Sequence, residues 1–134
     1  MNYWLAKSEP EVYSWEQFVA DKKTFWDGVR NYQARNNMKA MEKGDHVIFY
    51  HSSDVRSAIG IAEVVKTAYQ DPTTEDPAWV VVDLKPVRAL KRPVALAEIK
   101  AAKGMNNVAL VKQGRLSVLP LTEAEYKIIV GLGG

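Results

Sequence analysis

The densest chemistry in the sequence lies in one run, Trp26-Asp27-Gly28-Val29-Arg30-Asn31-Tyr32-Gln33-Ala34-Arg35-Asn36-Asn37. It sets large aromatics, side-chain amides and two guanidiniums around a glycine. An amide offers a donor and an acceptor side by side, which matches the edge of a nucleobase, and an aromatic ring offers a stacking face. Arg30 and Arg35 supply cations for a phosphate backbone. Polar groups at this density need partners if buried, since each one left unpaired costs about 1–3 kcal/mol. The competing explanation is local: a capped helix start whose polar side chains bond their own backbone, with Trp26 in the core.

Lys7-Ser8-Glu9 brings a base next to a hydroxyl. Adjacent residues on a strand project to opposite faces, so Lys7 can activate Ser8 only if the strand ends by Ala6; Pro10 places an end nearby. In Phe49-Tyr50-His51-Ser52, Tyr50 shares a face with Ser52, and Phe49 with His51. One pair belongs to the core and the other to a pocket, and alternation does not choose between them. Arg115-Leu116-Ser117-Val118 sets a cation, an apolar contact and a hydroxyl at a strand start. Trp4, Trp15 and Trp79 read as core anchors, although four tryptophans keep an aromatic cage in play. His46 and His51, the only imidazoles, lie five apart on one strand and point to opposite faces. With no cysteine either, no metal site and no cofactor is expected. Dinucleotide, Walker, HExxH and GxSxG patterns are absent. Asp71, Glu75 and Asp76 fall in a turn-rich loop and read as solvated. Nothing here specifies a reaction, so an enzyme is not expected.

These groups need a scaffold, and 134 residues with 47% hydrophobic and 25% charged content suit one domain, residues 1–134. No apolar run approaches the ~18 residues of a membrane span, so no membrane partner is expected. Neither is a signal peptide, and the lack of cysteine fits a reducing compartment. A cytoplasmic protein is the expectation, with association with the nucleoid left open. Residues 3–6 read as a short strand. Ser14 and Gln17 form a capping-box pattern opening a helix to about Lys22, with Tyr13 as staple. A helix over 31–41 is followed by strands over 46–51, 58–69 and 78–90, with Gly60 marking a bulge or close approach. A helix over 94–103, a strand over 116–119 and a C-terminal helix capped by Thr122 and Glu125 complete the chain. The pattern is α+β, with long antiparallel strands closing into a curled sheet or pseudo-barrel and helices at the periphery.

Charge is uneven. Residues 85–115 hold Lys85, Arg88, Lys91, Arg92, Lys100, Lys103, Lys112 and Arg115 against Glu98 alone, a local +7 in a chain of net +2. Either a polyanion or plain solvent faces such a segment. Arg88 and Lys91 are candidate phosphate contacts on charge clustering alone.

Tyr3-Trp4-Leu5-Ala6-Lys7-Ser8-Glu9-Pro10, Tyr13-Ser14-Trp15 and the Trp26–Asn36 run, taken with Gly44–Ser52, Gly60–Val64, Tyr69–Thr73 and Arg115–Thr122, resemble the EVE domain of the PUA-like superfamily. The likeness spans nearly the whole chain in order and looks like the stand-alone bacterial form. It implies a PUA-like curled mixed sheet and a pocket for a modified base, chiefly 5-substituted cytosine such as 5-methylcytosine, flipped from DNA or RNA. Carried over by position, Trp4, Lys7 and Ser8 would border the pocket; Trp26, Asn31, Tyr32 and Ala34 would form its ring and amide wall; His51, Ser52, Arg115, Leu116 and Ser117 would close it. Arg30 and Arg35 join Arg88 and Lys91 as expected backbone contacts. The expected partners are modified DNA or RNA and a separate effector enzyme, with oligomeric state left open. Two other readings stand beside this one: an RNA binder acting on tRNA or rRNA, and a small hydrolase of modified nucleosides using Lys7 with a hydroxyl or Glu9.

Overall fold

A computed structural model describes residues 1–53 and 56–134. Six strands form one mixed sheet: β1 (Tyr3–Ser8), β2 (Thr24–Phe25), β3 (His46–His51), β4 (Ser57–Gln70), β5 (Val80–Ala95) and β6 (Val118–Leu121). Their order is β2-β5-β4-β3-β1-β6. Only β1 and β3 run parallel; every other pairing is antiparallel. The sheet curls without closing, because β2 and β6 remain edges. Helices α1 (Trp15–Asp21), α2 (Tyr32–Ala40), α3 (Leu96–Ala101), α4 (Ala109–Lys112) and α5 (Glu123–Gly133) surround it. The expected α+β architecture is the one observed.

Local chemistry explains the helix starts. Ser14 Oγ accepts from the Gln17 amide, and the Tyr13 ring packs on Phe18, which is the staple geometry. The Gln17 side chain turns to Asp21 instead of completing the box. Thr122 and Glu125 do complete theirs. Several boundaries move from the sequence expectation. Strand β1 runs on to Ser8 instead of ending at Ala6, so Lys7 and Ser8 stay on the strand and project to opposite faces. Strand β5 runs on through Ala95, because Val94 and Ala95 pair with Ala58 and Ser57, and the helix over 94–103 shrinks to α3. Strand β6 starts at Val118 opposite Ala6, leaving Leu116 and Ser117 in the preceding turn. Strand β2 and helix α4 are too short to leave a periodic signal.

The core centres on Phe49. Its ring stacks on Phe18 with centroids 5.4 Å apart and meets Trp15, Trp26 and His51 edge-on. The strand pairing slips on both sides of Gly60, and the Trp15 indole occupies the space over it. A Cβ at Gly60 would stand 2.6–2.7 Å from three Trp15 ring carbons. Both expectations for Gly60, bulge and close approach, hold together. Gly60→Ala is therefore expected to lower the unfolding free energy by about 2–3 kcal/mol through overpacking. Urea denaturation followed by tryptophan fluorescence reads this, and an unchanged midpoint would mean that Trp15 is not seated there.

Candidate nucleic-acid interface

A cleft of about 610 Å³ opens where β1 ends. Lys7 and Ser8 line it from β1, then Glu9, Val12 and Tyr13 from the turn before α1. Thr24 and Phe25 of β2 and the Trp26-Asp27-Gly28 segment form the opposite wall. Such a volume lies within the range of about 300–1,000 Å³ usual for small-ligand sites. Ser8 Oγ donates to the Tyr13 carbonyl at 2.6 Å, which pins the turn. The Tyr13 phenol donates to Asp21 at 2.8 Å. Burial pushes its pKa up to about 12; a hydrogen bond with Thr24 opposes this, Asp21 adds to it, and the phenol stays protonated. Trp26 is nearly buried, edge-on to Tyr13 and Phe49, and its amide is fixed on the Val82 carbonyl.

A second, smaller cleft of about 240 Å³ is lined by Asn31 and Gln33 on one side and by Gln113, Gly114, Arg115 and Leu116 on the other. Lys7 joins the two, since it lines the first and its Nζ donates to the Gly114 carbonyl at 2.8 Å. Burial, assisted by Arg56, holds the Lys7 amine below its ordinary pKa. Lys7 thus engages Gly114 while Ser8 engages Tyr13, and no nucleophile–base pair is assembled.

The loop between the clefts hangs on Asp71. That residue is fully buried, correcting its reading as a solvated loop carboxylate. It accepts from the Thr73 amide and hydroxyl, from the Gly28 amide at 3.4 Å and from Arg30 Nη1 at 3.0 Å. Burial alone would raise its pKa; the bonds from Thr73, Arg30 and Gly28 outweigh that and hold it below the ordinary carboxylate value. Arg30, expected on a phosphate, is committed on one side to this buried anion.

The structure gathers the expected site residues only in part. Lys7, Ser8 and Trp26 meet at the first cleft; Asn31, Arg115 and Leu116 meet at the second. Asn31 Oδ1 caps α2 by accepting from the Ala34 amide, so the local explanation holds for that atom. Trp4 does not border the first cleft. It is a core anchor whose indole donates to buried Asp45 at 3.0 Å, about 13 Å from Ser8 along β1. Ala34 is fully buried on the inner side of α2, and Tyr32 stands on the surface, 62% exposed, instead of in a pocket wall. His51 and Ser52 end β3 beside Ser8: Ser8 pairs with His51, and the Ser52 amide donates to the Ser8 carbonyl. Ser117 contributes its carbonyl to the Lys7 amide. Arg35 binds Asn36 and the Ala78 carbonyl. Arg88 donates to the Gly134 carbonyl and the Lys91 stem lies close to Gly134, so both sit at the end of α5 and line neither cleft. Within the basic segment Lys85 faces Glu63 and Arg92 grips Glu98; Arg115 is its member at a cleft.

Sequence reasoning passed over Val12, Thr24, Phe25, Gln113 and Gly114 as lining residues, and named Glu9 only as a partner of Lys7 in the hydrolase reading. Asp27, Gly28 and Gln33 lay inside the singled-out run, and Tyr13 carried a staple signal that fixed its place though not its role. Among the described residues no cluster of His, Cys, Asp or Glu could hold a metal ion, and no helix is long and apolar enough to cross a membrane.

An open mixed sheet with an aromatic-edged cleft at the end of its parallel β1–β3 pair defines a PUA-like α+β domain. The model of the EVE domain matches residues 2–132, and the chain belongs to that family. Human thymocyte nuclear protein 1 is 38% identical over 98% of this chain and 73% of its own length. A crystal structure of an Agrobacterium tumefaciens protein superposes with a TM-score of 0.97 at 44% identity, covering 100% of this chain and 94% of that one. Human THYN1 protein, crystallised in complex with 5-methylcytosine-containing DNA, superposes with a TM-score of 0.92 at 36% identity, covering 99% and 98%.

Removing the Asp71 charge tests the loop anchor. Asp71→Asn is expected to cost about 2–3 kcal/mol at neutral pH, less than a fully enclosed ion pair because Arg30 is partly solvated. A carboxylate with a lowered pKa stabilises the fold above its unfolded-state value, and that stability is lost as pH falls through the lowered folded value. The gap between wild type and variant should therefore close on acidification below the ordinary 3.8. Urea midpoints at pH 7 and pH 3 check this; a gap as wide at pH 3 as at pH 7 would refute the anchor's charge.

Proposed function

We propose that this protein binds nucleic acid by taking a flipped base, a 5-substituted cytosine, into the Lys7–Gly28 cleft. The observation that carries the reading is the cleft itself, edged by Tyr13, Phe25 and Trp26 at the end of β1. It is supported by the superposition on human THYN1 protein, whose structure holds 5-methylcytosine-containing DNA.

A base inside a duplex hides its edge, so extrusion costs a few kcal/mol. Stacking on an aromatic ring returns about 1–3 kcal/mol of that. Cytosine offers one exocyclic amine donor and ring acceptors at its pairing edge. Ser8 Oγ has spent its proton on Tyr13 and presents lone pairs, so it can only accept from that amine. Asp27, which lines the same wall, accepts likewise, as Asp does from cytosine in groove readout. The Lys7 ammonium keeps donors beyond its bond to Gly114 for a ring acceptor. Asn31 stands at the second cleft and caps α2 with its oxygen, so it is not among the groups that meet the base. A buried methyl contributes about 0.8 kcal/mol, so preference for the modified base is expected to be several-fold. The hydrolase reading in its Lys7–Ser8 form gains no support from the geometry, because Lys7 and Ser8 face different partners.

Titration at several salt concentrations tests the proposal. Its ligands are matched duplexes bearing cytosine, 5-methylcytosine or 5-hydroxymethylcytosine at one position, and an RNA of the same sequence. A three- to fivefold preference for a modified duplex, lost in Trp26→Phe with the melting curve retained, is the expected result. Equal affinity for modified and plain duplexes at every salt concentration would overturn it, and tighter binding to the RNA would select the RNA reading.

A further inference from the structure

Outside both clefts, four flat groups stand in series, Tyr32 and Arg30 exposed and Trp79 and Arg35 half-buried. The Arg35 guanidinium lies 5.0 Å from the Tyr32 ring centroid, Tyr32 stacks on Trp79 at 5.0 Å and 30°, and the Arg30 guanidinium lies 5.6 Å from the Trp79 centroid. Tyr32 opens α2 and is 62% exposed, far more than a packing role requires. Hydrogen bonds lock the ladder at both ends. Arg30 is held by Asp71 and the Val29 carbonyl, and Arg35 by the Ala78 carbonyl and Asn36. The Arg35 partners are neutral, and among the described residues no carboxylate pairs with it, so its charge is uncompensated. The first turn of α2 carries no acidic residue that would repel an anion.

The ladder shares its backbone with both clefts. Arg30 follows Gly28 of the first by two residues, and Tyr32 sits between Asn31 and Gln33 of the second. We infer that the Arg35–Tyr32–Trp79–Arg30 ladder is a second nucleic-acid contact, which takes an unpaired, unmodified stretch of strand beside the cleft. Nucleobases extend a stack of rings and guanidinium planes without regard to sequence, and guanidinium edges meet phosphates. An apolar peptide would leave the cation of Arg35 unanswered. Pre-ordering matters as well, because groups already fixed lose little freedom on binding. This inference rests on the proposed nucleic-acid binding, though not on the preference for a modified base.

The test uses fluorescein-labelled decamers of thymidine and of uridine, unmodified and single-stranded, with the intact protein; thymidine and uridine arms separate DNA from RNA as the source. Tyr32→Ala, a surface change that leaves the melting curve intact, is expected to weaken binding of one or both decamers at least fivefold. Tyr32→Phe should bind as wild type does, and Arg35→Gln should weaken binding and flatten its salt slope by about one unit. The ratio of affinities for 5-methylcytosine and plain duplexes should be the same in Tyr32→Ala as in wild type. Wild-type affinity in Tyr32→Ala, a loss in Tyr32→Phe equal to that in Tyr32→Ala, or no decamer binding by wild type would each overturn the inference. A wild type that ignores the modification but loses decamer affinity in Tyr32→Ala would sink the modified-base reading and leave the ladder standing.

Discussion

The buried carboxylate of Asp71 is the constraint on which the binding face depends. It lies in a loop distant in sequence from the Trp26–Asn31 segment, yet it accepts from Gly28 and Arg30 in that segment as well as from Thr73. A buried anion without such donors would cost several kcal/mol or take up a proton, so its burial and the loop's position stand or fall together. Gly28 borders the first cleft, Arg30 supports Trp79, and Asn31 borders the second. One carboxylate thereby sets the spacing of three surfaces. Asp45 does a parallel job at the far end of the sheet, where it accepts from the Asn2 and Glu42 amides and the Trp4 indole.

Between these two anchors the aromatic core has a gradient of commitment. Trp15, Phe18 and Phe49 are packed against one another on all sides and fix the sheet's curl around Gly60. Trp26 belongs half to that core and half to the cleft. At the end of β3 the packing leaves polar debts: Tyr50 Oη and His51 Nε2 are buried without a hydrogen-bond partner among the described residues. Each such group costs about 1–3 kcal/mol. By register they stand beside Lys7 and Ser8, the two β1 residues at the cleft. Burial also holds His51 below its ordinary pKa, against Glu16 and Glu11, so it is neutral at physiological pH. Unsatisfied polar groups concentrate where β1 and β3 reach the cleft, as expected where a fold gives up stability for a site.

The fold was legible to the extent that it rests on local rules. Capping boxes, the staple at Tyr13 and the anomalous Gly60 in a long strand all name their own geometry. Asp71 was misread because its loop is rich in turn formers, and nothing local says that two donors arrive from more than forty residues away. Trp4 was misplaced for the opposite reason: a motif groups it with Lys7 and Ser8, but strand geometry sends it to the other end of β1. Tyr32 and Trp79 are far apart in sequence, and no local rule says that their rings stack. The residues of the site were thus recognisable as chemistry, and their grouping was not, because tertiary pairing decides which of them share a surface.

Cleft and ladder together resolve a difficulty in the energetics of recognition. A methyl notch adds only about 0.8 kcal/mol, too little to repay base extrusion. Stacking and phosphate contacts that ignore sequence can carry the bulk affinity, while the cleft needs to supply only the difference between two cytosines. The ladder's ends suit this role unequally. Arg30 is largely neutralised by Asp71 and acts as a scaffold for Trp79, whereas Arg35 keeps its charge for a phosphate. Extruding a base leaves its neighbours unstacked on one face, and a rigid aromatic surface next to the cleft offers them a new stack. On the proposed reading, the loop that shapes the pocket would also lower the cost of filling it.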